Sequence, residues 1–337
     1  MRNPHTSPAT SAVWEVFQCS LQSLRPRLSI VAIAALCAGL ICSPVMGSSD
    51  KPAAKLLDLS GLAWIGGDRF IAVSDAKNPR ENDLNRVSLL TLPQSLAGLG
   101  FESVDLRYSG GPSSDFESAA RIPGRRLVLL AESADDDSPF QRIFLARFGH
   151  PRIRIVDMTE WTSFTRAFNV EATAVAVSGD DFLFLWAERN SGSQSTEIRW
   201  TNLSLGPLSI GGPVGSVPFS LPDYLVNELG SPLYSRAIVG MDVDSAGNIY
   251  TVTAFDPEGT VEDPDNGPFR SAVLRVGRVT GQGVVLDDSP SIMAMVDGLK
   301  IESVAVRETD QGVEIFVGTD DENFGGTIRQ IPPLDLP

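Results

Sequence analysis

Three glutamates recur in matching surroundings: Glu117, Glu171 and Glu302. Each follows an apolar residue (Phe116, Val170, Ile301) and precedes a small one (Ser118, Ala172, Ser303). In each case a β-rich run follows and ends in a second acidic residue: Glu132 after LVLLA, Glu188 after FLFLWA and Asp320 after VEIFVGT. Two weaker copies of the phrase pair Ser60 with Asp75 and Val239 with Asp256. Carboxylates repeated this way have three uses. They can pass protons as general acid and base, they can supply the oxygen ligands of a hard cation, or they can be a repeat-encoded contact in which each glutamate caps backbone N–H groups of the next unit.

The positioning elements follow from the spacing. The equivalent positions 60, 117, 171, 239 and 302 lie 57, 54, 68 and 63 residues apart, and each opens a pair of β-rich runs. Strand pairs repeated at this period are the signature of a β-propeller. Each unit is a small sheet with two apolar faces, which are both buried only when neighbours stack and the ring closes. We therefore expect an all-β propeller of about five blades, each a four-stranded antiparallel sheet. The number becomes six if residues 76–113 or 206–236 hold a degenerate repeat. A β-sandwich with coincidentally similar hairpins is the competing architecture. In an antiparallel hairpin the start of the first strand lies beside the end of the second. That places Glu117 near Glu132, Glu171 near Glu188, and Glu302 near Asp320. The innermost strands of a propeller line its axis, so these six residues are expected to gather on one rim. Three or more carboxylates there repel one another unless a cation or a proton sits among them. Oxygen-only ligation in an irregular ring favours Ca²⁺ over Mg²⁺.

The inner strands are expected to include Phe116–Ile122, Val170–Val177, Val239–Val243 and Ile301–Val306. Val87–Leu92, Gln141–Phe148, residues 152–157, Glu197–Leu203 and Val273–Val279 read as outer strands. Residues 206–236 read as a long irregular stretch with one short helix over Pro222–Leu229, a candidate flap over one face. Met293–Val296 leads into the fifth repeat, and Thr327–Ile331 is expected to pair with the N-terminal strands and close the ring. Asp263–Gly267 resembles a fragment of a calcium loop but lacks its alternation and distal Glu, and so reads as a turn. No GxSxG, P-loop or HExxH motif occurs, and His150, in a Gly-His-Pro turn, is the sole histidine after residue 47. A Ser/His/Asp hydrolase has little support.

Residues 1–47 read as a secretory signal. Arg25 and Arg27 precede an apolar run from Leu28 to Cys42, and Val45-Met46-Gly47 offers a cleavage site. An uncleaved membrane anchor is the alternative. All three cysteines, Cys19, Cys37 and Cys42, fall in this leader. Residues 48–337, read as one propeller domain, would then hold no disulfide and no thiolate. At 290 residues this part is long enough to bury a core without one. Its 24 basic and 41 acidic residues give a net charge of −17, which argues against nucleic acid or an anionic membrane surface as partner. The expected location is the periplasm or the cell exterior, with no membrane contact once the leader is removed.

The phrase at Phe116–Ala120, Val170–Ala174 and Ile301–Ala305 resembles the "LEGIA"-like repeat of secreted bacterial propellers, among them the SdiA-regulated family and the esterase-like domain of phytase-like proteins. The segment Asp242–Thr253 is also similar to NHL and gluconolactonase-type repeats. The match spans most of 58–323, but Ser118, Ala172 and Ser303 stand where the pattern has glycine, and Ser60 and Val239 replace two glutamates. The resemblance implies an extracytoplasmic propeller with Glu117, Glu171 and Glu302 on its rim. Two functions follow from it. One is binding of a small molecule, peptide or envelope partner at that rim, with Ca²⁺. The other is metal-dependent hydrolysis of an ester, lactone or phosphoester there, with a carboxylate as base.

Overall fold

A computed structural model describes residues 56–75, 86–93, 99–108, 111, 113, 115–134, 141–149, 152–161, 169–189, 194–212, 215–231, 233–257, 267–320 and 326–332. The chain divides into two units, Met1–Pro52 and Ala53–Pro337, and all of these residues belong to the second. The leader with its cysteines, His150 and most of the Asp263–Gly267 segment lie outside the described residues. No described helix is long and apolar enough to cross a membrane.

Five antiparallel sheets follow one another along the chain. Blade 1 is β1 (Gly61–Gly66), β2 (Arg69–Val73), β3 (Val87–Thr91) and β4 (Gly100–Val104), paired in that order. Blade 2 is β5 (Phe116–Arg121), β6 (Leu127–Glu132), β7 (Arg142–Phe148) and β8 (Ile153–Glu160). Blade 3 has β9 (Val170–Ser178), β10 (Asp181–Glu188) and the long β11 (Ser195–Leu205), whose outer edge is shared by β12 (Leu208–Ile210) and β13 (Gly215–Ser220). The helix α1 (Asp223–Leu229) leads to blade 4: β14 (Ser235–Val243), β15 (Asn248–Phe255), β16 (Arg270–Thr280) and β17 (Gly283–Asp297). Blade 5 is β18 (Ile301–Thr309), β19 (Gly312–Thr319) and β20 (Ile328–Ile331), three strands among the described residues.

The inner strands touch in a closed ring: β1 meets β5, β5 meets β9, β9 meets β14, β14 meets β18, and β18 returns to β1. The molecule is thus a five-bladed propeller, and the sandwich and six-blade alternatives fall away. Its core is five separate layers, one at each blade interface. Phe116, Val128 and Phe144 of blade 2 meet Ile71 and Val87 of blade 1, for example, while Leu129 and Ile143, on the other face of that sheet, meet Phe184 and Trp186 of blade 3. Burial on both faces is why the inner strands read as nearly continuous apolar runs.

Three expectations need correction. Residues 206–236 are not irregular. β12 and β13 complete blade 3, and α1 buries Leu225, Val226 and Leu229 in the layer between blades 3 and 4 instead of forming a flap. Met293–Val296 is not a lead-in but the second half of β17, the outer strand of blade 4. And β20 does not pair with the N-terminal strands, since its partner is β19. The ring is closed by the segment before β1. Leu59 N–H donates to Thr319 O at 3.0 Å, Gly326 N–H donates to Leu56 O at 3.2 Å, and Ser303 Oγ–H donates to Leu59 O at 2.7 Å.

Candidate functional site

The three glutamates occupy one structural position. In β5, Phe116 pairs with Glu132 and Ser118 with Ala131, so Glu117 is an extra residue with no partner in the ladder. Glu171 is the extra residue between Val170 and Ala172, which pair with Glu188 and Ala187. Glu302 is the extra residue between Ile301 and Ser303, which pair with Thr319 and Gly318. Each is therefore a β-bulge at the start of an inner strand, a device that bends the strand and re-aims one side chain.

The residue after each glutamate is small for a steric reason. Gly61, Ser118, Ala172, Gly240 and Ser303, one from each blade, surround an axial cavity of about 10 Å³, roughly the room of one water molecule. A Cβ on Gly240 would lie 2.7 Å from Glu302 O, and one on Gly61 would lie 2.6 Å from Ala119 N. The serines that depart from the glycine pattern bond between blades. Ser118 Oγ and Thr173 Oγ1 are 2.5 Å apart, and Ser303 Oγ holds Leu59 O.

The rim carries cations as well as acids. Arg189 Nη1 lies 3.5 Å from Glu171 Oε1. Burial works against the Arg189 charge, but Glu171, Glu302, Glu117 and Asp256 outweigh it and hold its pKa above the ordinary value. All three bulge glutamates thus share the electrostatic field of one guanidinium. Lys300 Nζ sits 3.1 Å from Asp320 Oδ2, 3.2 Å from Glu302 Oε1 and 3.6 Å from Asp256 Oδ2, and Arg236 also pairs with Asp256. Glu302 is thus crowded by two further carboxyl groups around one lysine. Burial pushes its pKa up to about 7, Lys300 opposes, and Asp320 and Asp256 add to the rise.

Glu132 and Glu188 lie beside the bulges in register, but their side chains are engaged by arginines of the third strands. Glu132 is fully buried and clamped by Arg142, whose Nη2 donates at 2.6 Å and whose backbone N–H donates at 2.8 Å. Glu188 pairs with Arg199 at 2.8 Å. Asp320 remains at the rim through Lys300. Near Glu117 the structure gathers a different set: ligating oxygens of Asp75, Asp115 and Glu117 lie within 4.8 Å of one another. Asp115 also accepts a hydrogen bond from Ser133 Oγ, and Asp75 N–H donates to Ser60 Oγ at 3.3 Å.

The sequence reading omitted Arg189, Lys300, Asp115 and Arg236. Three of them flank the repeated phrase directly: Asp115 precedes Phe116, Arg189 follows Glu188, and Lys300 precedes Ile301. Adjacency to the repeat was the available signal.

No family model and no curated protein matches the chain. The likeness to the SdiA-regulated and phytase-like families thus remains one of the short repeat alone. Solved structures with a similar course include a thermostable family-43 glycoside hydrolase, at 14% identity and TM-score 0.48 over 83% of this chain and 91% of that one. A GH43 endo-arabinanase from Bacillus licheniformis aligns at 12% identity and TM-score 0.44 over 82% and 93%. A GH32 β-fructofuranosidase from Bombyx mori aligns at 8% identity and TM-score 0.40 over 82% and 60%. The chain is similar to these in general course only.

Proposed function

We propose that the protein is an extracytoplasmic ligand-binding propeller, periplasmic or secreted, whose working surface is the carboxylate rim. The observation that carries this reading is the glutamate repeated at three bulges. Blades 2, 3 and 5 each carry a glutamate at the bulge, whereas the matching irregularity of blade 4, between Arg236 and Gly240, spans Val239, so the bulge belongs to the ring and the acid is what these three blades add to it. Ca²⁺ is assigned to Asp75, Asp115 and Glu117, whose ligating oxygens lie within 4.8 Å of one another. Three carboxylates supply up to six oxygens, and Ca²⁺ takes six to eight, so hydroxyl or carboxylate oxygens of a small polar ligand can complete the shell. Weak extracellular calcium modules work at about 0.1–1 mM. At a hundredfold excess over Kd, Ca²⁺ should stabilise the fold by about 2.7 kcal/mol. Chelator should lower the melting temperature of the wild type, and Glu117→Gln and Asp115→Asn should each blunt that response. Indifference of the wild-type melting curve to both chelator and Ca²⁺ removes the metal from the reading.

A hydrolase at the same rim is the second reading, favoured by the raised pKa of Glu302. A carboxyl whose pKa is raised to about 7 beside further carboxyl groups is the acid–base arrangement used on esters and glycosides. Assays on generic esters, lactones, phosphoesters and aryl glycosides, each with and without Ca²⁺, separate the two. Turnover abolished by Glu302→Gln selects hydrolysis, and inactivity across the set leaves binding.

A further inference from the structure

At the other end of the blades the inner hairpins turn at acidic residues, Asp68, Asp180, Asp244 and Asp310, except in blade 2, where the turn carries Arg125 and Arg126. A cleft of about 820 Å³ runs between blades 2 and 3, lined by Arg125, Arg126 and Arg147 on one side and by Asn202, Ser204 and Ser209 on the other. The whole chain carries a net charge of −15, yet seven of its 27 basic residues fall between Arg121 and Arg154. All three lining arginines are exposed, and no ion pair joins them to a carboxylate among the described residues. Arg147 sits directly opposite Arg154 across the β7–β8 ladder, so two guanidinium groups stand side by side on one face of the sheet. Like charges in that relation destabilise a sheet. Arg147 also lies opposite Leu127, which lines the cleft, so this face is the one turned towards it. Asp181 is the acidic residue of the lining.

The walls are fixed. Asp157 bridges the blades, its Oδ1 accepting from Met158 N–H at 2.9 Å and its Oδ2 from Leu208 N–H at 2.7 Å. Leu127, Phe182, Leu203 and Leu205 join the apolar layer beneath. The arginines therefore project from a rigid floor, which lowers the ordering cost of binding. Guanidinium forks match the geometry of tetrahedral oxyanions, and two opposed arginines are relieved of their mutual repulsion when an anion bridges them.

We propose that the cleft between blades 2 and 3 binds a tetrahedral oxyanion, a phosphate or sulfate group carried on a small ligand. The hydroxyls of Ser204 and Ser209 and the amide of Asn202 supply the opposing polar contacts, while Asp181 faces a cationic or hydroxyl part of the same ligand. This site is independent of the rim reading. The test is isothermal titration calorimetry of the full chain with inorganic pyrophosphate, phosphate and sulfate at constant ionic strength. Saturable binding at one site per chain is expected, and the preferred anion distinguishes phosphorylated from sulfated ligands. Arg147→Gln and Arg126→Gln should each weaken binding at least tenfold, with melting curves like that of the wild type because both side chains are exposed. Arg125→Gln serves as a third variant if either fails to fold. Glu302→Gln should leave affinity unchanged. The absence of saturable heat with all three anions overturns the proposal, as does affinity that survives all the arginine substitutions or falls equally in Glu302→Gln.

Discussion

Glu302 shares one lysine with Asp256 and Asp320, and its proton has a consequence for stability. Its pKa is held near 7 in the folded protein, above the ordinary 4.5, chiefly by burial. Between those two values the folded chain keeps a proton that the unfolded chain has lost, so stability falls as pH rises through the window and levels off above about 7. One pKa unit is worth about 1.4 kcal/mol, which puts the ceiling of this contribution at about 3 kcal/mol. Asp242 acts in the same direction. Burial raises its carboxyl to about 7, against hydrogen bonds from the backbone N–H groups of Val306 and Val243. Urea unfolding of Glu302→Gln at several pH values should therefore show a flatter decline between pH 4.5 and 7, with the double variant carrying Asp242→Asn flatter still. A slope unchanged in both variants means that these carboxyl groups titrate normally.

At the scale of the strand, the repeated phrase is a packing instruction as much as a chemical one. The residue after each bulge must be small because the inner strands pass within van der Waals contact around the axis. Gly240→Ala places a methyl group against the Glu302 carbonyl and the Ser303 Cα, both backbone atoms, so blade 4 or blade 5 must shift. A loss of about 1–3 kcal/mol is expected in chemical denaturation. Gly281→Ala, in the open β16–β17 turn, should be nearly neutral. The inner strands and α1 were legible in the sequence because strong apolar runs and turn residues mark them. The strands β4, β12 and β13 were not. The first two are short, and β4 and β13 are mostly exposed, so neither length nor burial imposes a full alternation on the chain. The bulges were equally hidden, since a register shift has no composition. Without them the hairpin argument placed Glu132 and Glu188 with the bulge glutamates, whereas Arg142 and Arg199, which start or lie within the third strands, engage both. The split between Glu302 with its lysine and Glu117 with Asp75 and Asp115 depends on neighbouring blades, which a linear repeat does not rank.

At the scale of the whole molecule, five core layers stand around an axis, and each blade contributes one face to each of two layers. Loss of any blade thus exposes two apolar faces, and the ring gains its stability from closure. The closing joint is Leu59. Its side chain is fully buried between blades 5 and 1, and its backbone N–H and carbonyl are held by Thr319 O and Ser303 Oγ. An ion pair from Arg307 to Asp68, at 2.8 Å, links the same two blades towards the opposite end. Leu59→Ala removes the anchor and leaves a cavity, a change that costs about 2–5 kcal/mol in a packed core. If closure couples the blades, scanning calorimetry of this variant should show a single transition at lower temperature, with calorimetric and van't Hoff enthalpies still equal. Asp68→Asn should produce a smaller shift of the same kind, since both partners are partly exposed. Separation of the transition into two peaks in Leu59→Ala, with blades 1 and 5 melting first, is the outcome that rejects coupling. The propeller would then be a stack of neighbours that merely happens to meet at its ends.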